Sequence, residues 1–129
     1  MQFDPALRRR LLELYAAMSS GNAASVEAFY SLQADSVFIG TDASEYWTDS
    51  RRHNEDVRPF FDGAHGRYSW HPGDALALVE GSVGWTVDRP AVVTPDGETL
   101  PARVTLVWHR EDDGVWRVVH SHASLGREA

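Results

Sequence analysis

Two histidines near the carboxyl end of the chain, His120 and His122, have the spacing of side chains that act together. They lie in a run of β-branched and aromatic residues with Trp116 and Val118, which predicts a strand. Alternate residues of a strand share a face, so we expect all four side chains on the wall of one cavity. The imidazoles can act there as a general base or as donors to a ligand, or can be buried and hydrogen-bonded for structural reasons alone.

A metal site is a third interpretation of this pair, since alternate histidines on a strand are a common ligand spacing. It would need another ligand, for which His109 on the preceding predicted strand is the candidate. A four-residue turn between the strands would bring His109 to the histidine face, whereas a three-residue turn brings Trp108 there instead. Gly114 suits the left-handed position that closes a three-residue turn, so we favour the second register. It turns His109 away, and we predict no metal ion or other cofactor.

Hydrophobic residues at helical spacing predict helices in the first half of the chain. Asp4 can cap the first helix, Pro5 suits its first position, and Gly21 ends it. Asn22 is the expected cap of a second helix. The apolar stripe of the first helix consists of Leu7, Leu11, Leu14, Tyr15 and Met18.

A third helix is predicted over residues 49–61, with a kink or an end near Arg58 because Pro59 follows. His53 and its neighbouring arginines are interpreted as a solvated face of this helix. The second half of the chain alternates apolar and polar residues between turns rich in Gly and Pro, which predicts long antiparallel strands. Helices followed by such strands indicate the α+β class and a single domain over residues 1–129.

Residues 107–110, the acidic turn with Gly114 and residues 116–124 resemble the final hairpin of the SnoaL-like branch of the NTF2-like superfamily. They are similar also to the end of the calcium/calmodulin-dependent kinase II association domain. The resemblance implies a cone in which three N-terminal helices pack on a strongly curved antiparallel sheet. It implies a ligand between the sheet and the helices.

Residues 15–22 resemble, more distantly, the ketosteroid isomerases, whose matching tyrosine donates a hydrogen bond to a developing oxyanion. The resemblance implies that role for Tyr15, and the alternative is a core tyrosine bonded to backbone or water. The isomerases carry an aspartate general base where this chain has Gly40. Asp42 and Glu45 follow in sequence but do not match the motif, which weakens the prediction of isomerase chemistry.

The composition and net charge disfavour several classes of binding partner. The 129 residues carry a net charge of −7, which disfavours nucleic acid and anionic membrane surfaces as partners. There is no cysteine, and no apolar run approaches the roughly 18 residues of a membrane span. We therefore expect a cytoplasmic protein. An apolar exposed sheet face, with Trp85, Val92 and Val107 as candidates, predicts a homodimer.

The sequence favours a small-molecule-binding domain for an unidentified apolar or aromatic ligand. The predicted ligand contacts are Tyr15, Trp47, Phe60, Trp108, His120 and His122. The alternative is an isomerase, cyclase or dehydratase in which Tyr15 is the electrophile and His120 or His122 the base. A second alternative is an assembly module that acts by oligomerising.

Overall fold

The computed structural model describes residues 1–63 and 68–126, and within these ranges it has three helices and nine strands. The helices are α1 (Pro5–Met18), α2 (Ala23–Glu27) and α3 (Ser50–Phe61). The strands are β1 (Gln2–Phe3), β2 (Val37–Ile39), β3 (Tyr46–Trp47), β4 (Ser69–His71), β5 (Leu76–Glu80), β6 (Val83–Asp88), β7 (Ala91–Val93), β8 (Thr99–Arg110) and β9 (Trp116–Leu125). The predicted α+β class is confirmed.

Each helix begins at a side-chain cap, and the caps of α1 and α2 are the residues that the sequence predicts. A carboxylate oxygen of Asp4 accepts from the Leu7 amide at 2.9 Å, and Asn22 and Asp49 cap α2 and α3 in the same way. The predicted apolar stripe of α1 is buried along its whole length. The predicted span of α3 is confirmed, and of the two alternatives near Arg58 the helix end is wrong, because α3 continues through Pro59 to Phe61. Proline removes one amide donor there, but the helix ends two residues later, so little of the hydrogen-bond ladder is lost.

The strands form one open sheet in the order β1-β5-β6-β8-β9-β2-β3, and β7 pairs with the first part of β8 and with β4. The pairing is antiparallel except between β2 and β9, which run parallel. Helix α1 packs closely on the concave side of this sheet. A β-carbon on Gly84 would lie 2.6 Å from the Leu7 side chain, so glycine on β6 permits the approach.

The β8–β9 hairpin has the predicted three-residue turn. Trp108 pairs with Val118, and Gly114 has a φ of +80°, in the left-handed region. Both Trp108 and Val118 are fully buried. His109 lies on the face of β8 opposite to Trp108, but the prediction that this register turns it away from His120 and His122 is wrong, because Val107 pairs with His120 and Thr105 with His122, which places all three histidines on the outer face.

The convex face of the sheet carries apolar side chains from three neighbouring strands. Leu78, Trp85 and Val107 are cross-strand neighbours, and each is partly exposed. Val92 was expected on this face, but it is buried and points to the concave side, because β7 pairs with a separate part of β8. None of the helices in residues 1–63 and 68–126 is long and apolar enough to cross a membrane.

Candidate ligand-binding cavity

A cavity of about 400 Å³ lies between α1, α3 and the concave face of the sheet. Its wall is mostly apolar. The strands supply Ala102, Val104, Leu106, Ser121, Ala123 and Leu125, and the helices supply Leu14, Tyr15, Met18, His53, Val57, Phe60 and Phe61. The exposed residues Thr41, Asp42 and Phe60 also border it, so the cavity opens to solvent at that end.

Three of the predicted ligand contacts, Tyr15, Trp47 and Phe60, line this cavity. Trp47 donates its indole N–H to Asp56 on α3 at 2.9 Å, which fixes the orientation of the ring. Phe60 is 46 % exposed and stands at the opening. These three residues, which come from α1, α3 and β3, therefore lie together on the wall of one cavity.

His120 and His122 do not line the cavity, and the prediction that their face forms its wall is wrong. Val118 on β9 pairs with Trp108, but Val107 pairs with His120, so Val119 is an extra residue in β9. Such a β-bulge reverses the alternation of side chains beyond it. Ser121 and the residues alternating with it face inward, whereas His122 is exposed. His120 is half-buried on the outer face, where Nδ1 lies 2.9 Å from the Val37 carbonyl oxygen.

Trp108 is also absent from the cavity wall, which corrects its assignment as a ligand contact. Its side chain is fully buried in the core, and its indole N–H donates to Thr86 Oγ1 at 3.0 Å. The hydrogen bond satisfies the one polar group of the indole. Trp108 therefore belongs to the packed core, on the same face of β8 as the cavity-lining Leu106.

Tyr15 lines the cavity, but its hydroxyl already has a partner. It donates to Asp88 Oδ2 at 2.9 Å, and the carboxylate accepts also from the amides of Gly73 and Arg89. Burial, and then the Asp88 charge, raise the pKa of Tyr15 well above its usual value. Sequence reasoning missed Asp88, since no local pattern joins residues that are 73 positions apart.

Trp70 adds an unsatisfied polar group to this wall. Its ring stacks on that of Tyr15 at a centroid distance of 5.9 Å. The indole nitrogen is buried and has no hydrogen-bond partner among residues 1–63 and 68–126. A buried donor without a partner is costly, so a ligand acceptor would be favoured at this point of the wall.

His53 is the histidine that lines the cavity, and the prediction of a solvated face for it is wrong. The side chain is 5 % exposed and contacts the rings of Tyr30, Phe38 and Trp47 at centroid distances of 4.9, 4.4 and 5.0 Å. Burial lowers the pKa of His53, which favours the neutral imidazole. A signal was present in the sequence, because His53, Val57 and Phe61 recur at four-residue intervals and share one face of α3.

A carboxylate approaches the place where the isomerase motif has its aspartate. Glu45 Oε1 lies 2.9 Å from where a β-carbon on Gly40 would be, and both residues line the cavity. Its oxygen accepts from the Asp42 amide at 2.7 Å. The side chain of Glu45 therefore fills the space that Gly40 leaves, and the cavity opening is acidic.

No group of three His, Cys, Asp or Glu side chains within residues 1–63 and 68–126 is arranged to hold a metal ion. His109 lies on the outer face of the sheet, as His120 and His122 do, but these three described histidines are not arranged as a metal site.

The amino-acid sequence shows the family to which this fold belongs. The sequence matches the SnoaL-like domain over residues 7–128, so the chain belongs to the SnoaL-like domain family. Its fold is the NTF2-like cone that the hairpin resemblance implied. No functionally curated protein has significant sequence similarity to it.

Several solved structures share this fold. A candidate dehydratase of the NTF2-like family from Streptomyces avermitilis is 15% identical, with a TM-score of 0.79 and coverage of 95% of this chain and 94% of that chain. A candidate calcium/calmodulin-dependent kinase II association domain from Thiobacillus denitrificans is 21% identical, with a TM-score of 0.76 and coverage of 95% of both chains. A candidate ketosteroid isomerase from Shewanella frigidimarina is 17% identical, with a TM-score of 0.70, covering 94% of this chain and 96% of that chain. These similarities establish the fold.

Proposed function

We propose that this protein is a small-molecule-binding domain that holds an apolar or aromatic ligand between α1, α3 and the sheet. The observation that carries the proposal is the mostly apolar cavity of about 400 Å³ with an opening near Phe60. Cavities of roughly 300–1,000 Å³ with a few polar groups are typical of small-molecule sites. Tyr15, Trp47 and Trp70 add aromatic surface on which a planar ligand can stack.

A cavity-filling substitution tests this proposal. Ala123 on β9 lines the cavity, so Ala123→Phe is expected to occupy the ligand space and weaken binding at least about tenfold. Binding is measured by calorimetry and by the shift in melting temperature against a panel of steroids, aromatic polyketides and small carboxylates. His122→Phe is the matched control, because it adds a ring at the next residue on the outer face. Equal binding by both variants, or no binding by the parent protein, would contradict the proposal.

A second candidate is an enzyme of the isomerase, cyclase or dehydratase kind. The favouring observation is the buried imidazole of His53 in the cavity wall, where burial lowers its pKa and so favours the neutral form that acts as a general base. The base of this alternative is thus His53, and no longer His120 or His122. Tyr15 is a weaker electrophile than the family resemblance implies, since its proton is already donated to Asp88. The enzyme would lose turnover in His53→Gln while retaining ligand binding.

We also propose that the protein is a homodimer joined through the convex face of the sheet. Leu76 and Val83 are 49 % and 48 % exposed there, beside the partly exposed Leu78, Trp85 and Val107. A contiguous apolar face of this kind is unusual on a monomer, and a second copy of the same face would cover it. An assembly role, the remaining alternative from the sequence, would require larger oligomers.

A further inference from the structure

Three buried polar side chains lie close to one another in the otherwise mostly apolar wall of the cavity. His53, Tyr30 and Ser121 are each at least nine-tenths buried, and all three line the cavity. They surround Phe38: its ring contacts those of Tyr30 and His53, and its strand pairs with β9 at Ser121. We call Tyr30, His53 and Ser121 the polar end of the cavity.

The hydrogen bond made by His53 determines which of its two ring nitrogens carries the hydrogen. Nδ1 lies 3.0 Å from the side-chain carbonyl oxygen of Asn54, which can only accept, so Nδ1 carries the hydrogen. Because burial keeps the ring neutral, Nε2 then has a free lone pair. Among residues 1–63 and 68–126, Asn54 is the only side chain to which the imidazole is hydrogen-bonded. Nε2 is therefore an acceptor that a cavity ligand can use.

The two hydroxyls of the polar end complement this acceptor. The Tyr30 phenol has no hydrogen-bond partner in the described part of the chain, and burial raises its pKa, so it remains protonated and able to donate. Ser121 can donate or accept. Within the described ranges no Lys or Arg lines the cavity, while Asp42 and Glu45 border its opening. An anionic ligand is thus disfavoured, and a neutral group that both donates and accepts is favoured.

We propose that the polar end binds the hydroxyl group of a neutral, otherwise apolar ligand, with its proton donated to His53 Nε2 and its oxygen accepting from Tyr30 or Ser121. This assignment rests on the proposed binding function and adds the ligand class: aromatic or polycyclic alcohols and phenols. Ligands without a hydroxyl leave the acceptor unsatisfied and bind less tightly.

Three matched probes test this assignment: 2-naphthol, its methyl ether 2-methoxynaphthalene, and naphthalene. The first can donate and accept a hydrogen bond, the second can only accept, and the third can do neither. Calorimetry is expected to show about tenfold tighter binding of 2-naphthol than of the ether, as one buried hydrogen bond implies. In His53→Phe this preference should disappear while the affinity for naphthalene is retained. His122→Phe, the same change at an exposed site, should keep the preference.

A second measurement covers the case in which His53→Phe fails to fold. In the parent protein with 15N-labelled histidines, 2-naphthol should shift one imidazole Nε2 resonance that naphthalene leaves unchanged. Equal binding of all three probes with no such shift would overturn the proposal that the polar end binds a hydroxyl group, and would leave the proposed binding function intact. Failure of all three probes to bind would overturn both.

Discussion

The hydroxyl of Tyr15 has a structural role, because it donates a hydrogen bond to Asp88. Asp88 is 3 % exposed, and its carboxylate accepts from one hydroxyl and two backbone amides. A buried carboxylate needs such partners, because unpaired buried charge is costly. The same hydroxyl cannot donate to a ligand without leaving Asp88. Tyr15 therefore anchors α1 to the end of β6 before it serves any ligand.

Replacing Tyr15 with phenylalanine tests this role. We expect the free energy of unfolding to fall by about 1–3 kcal/mol, because Asp88 loses a buried donor, while affinity for apolar ligands is nearly unchanged. Urea unfolding and calorimetry measure the two quantities. Tyr46→Phe is the control, since Tyr46 is 62 % exposed and should tolerate the change. Unchanged stability together with a tenfold loss of ligand affinity would indicate the oxyanion role instead.

At the scale of elements, α3 attaches to the sheet through a titratable side chain. His53 packs between Tyr30, Phe38 on β2 and Trp47 on β3, and Trp47 is in turn bonded to Asp56 of α3. Protonation of His53 would place a charge among these rings, although Asp56 on the same helix partly offsets it. The attachment of α3 is therefore expected to weaken in acid.

Stability should fall as the pH decreases through about 6.5 toward the lowered pKa of His53 in the folded state. The pKa of His53 is lowered in the folded state from its ordinary value of 6.5, so the unfolded chain binds the proton first. The contribution is complete above 6.5 and is lost as the pH falls toward the folded pKa. Its slope is at most about 1.4 kcal/mol per pH unit. Urea unfolding across this range should show a smaller slope in His53→Phe than in the parent. Equal slopes in the two proteins would refute this account.

The bulge in β9 is the other feature that acts at the scale of elements. Before Val119, the inward positions bury Trp108 and Val118 in the core, and beyond it they supply Ser121 to the cavity wall. One strand thus serves a packed core at one end and an open cavity at the other. The bulge moves the histidines to the outer face, where they adjoin the proposed dimer surface.

At the scale of the whole molecule, the sheet separates the proposed ligand-binding face from the proposed dimer face. The concave side holds the cavity and α1, and the convex side holds the apolar row Leu78, Trp85 and Val107. The two proposed functions, ligand binding and dimerisation, would then use different side chains of the same strands. Substitutions on one face should therefore leave the other function intact.

A charged substitution on the convex face tests the dimer. We expect light scattering to give twice the chain mass for the parent protein at micromolar concentration, and the monomer mass for Val107→Glu, because the carboxylate would be buried without a partner. Arg103→Glu is the control, since Arg103 is exposed outside the apolar row. Both variants should retain ligand binding. A monomeric parent would end the proposal, and much larger particles would favour the assembly alternative.

Local patterns in the sequence determined the helix caps, the buried stripe of α1 and the turn at Gly114. These features depend on residues within a few positions of one another, so spacing and residue type suffice to predict them. The hairpin resemblance added the fold. The positions of Tyr15, Trp47 and Phe60 on the cavity wall could then be predicted, since each lies on an element whose orientation the fold determines.

Tertiary structure alone decided which imidazole faces the cavity and which partner the Tyr15 hydroxyl has. The bulge at Val119 depends on how β9 pairs with β8, and a shift of one residue reverses every side chain beyond it. The burial of His53 depends on rings from three separate segments, and Asp88 reaches Tyr15 from the far end of β6. The physical reason is that hydrogen bonds and burial between distant segments have no period along the chain. The same sequence pattern at His120 and His122 therefore fits both faces until the pairing is known.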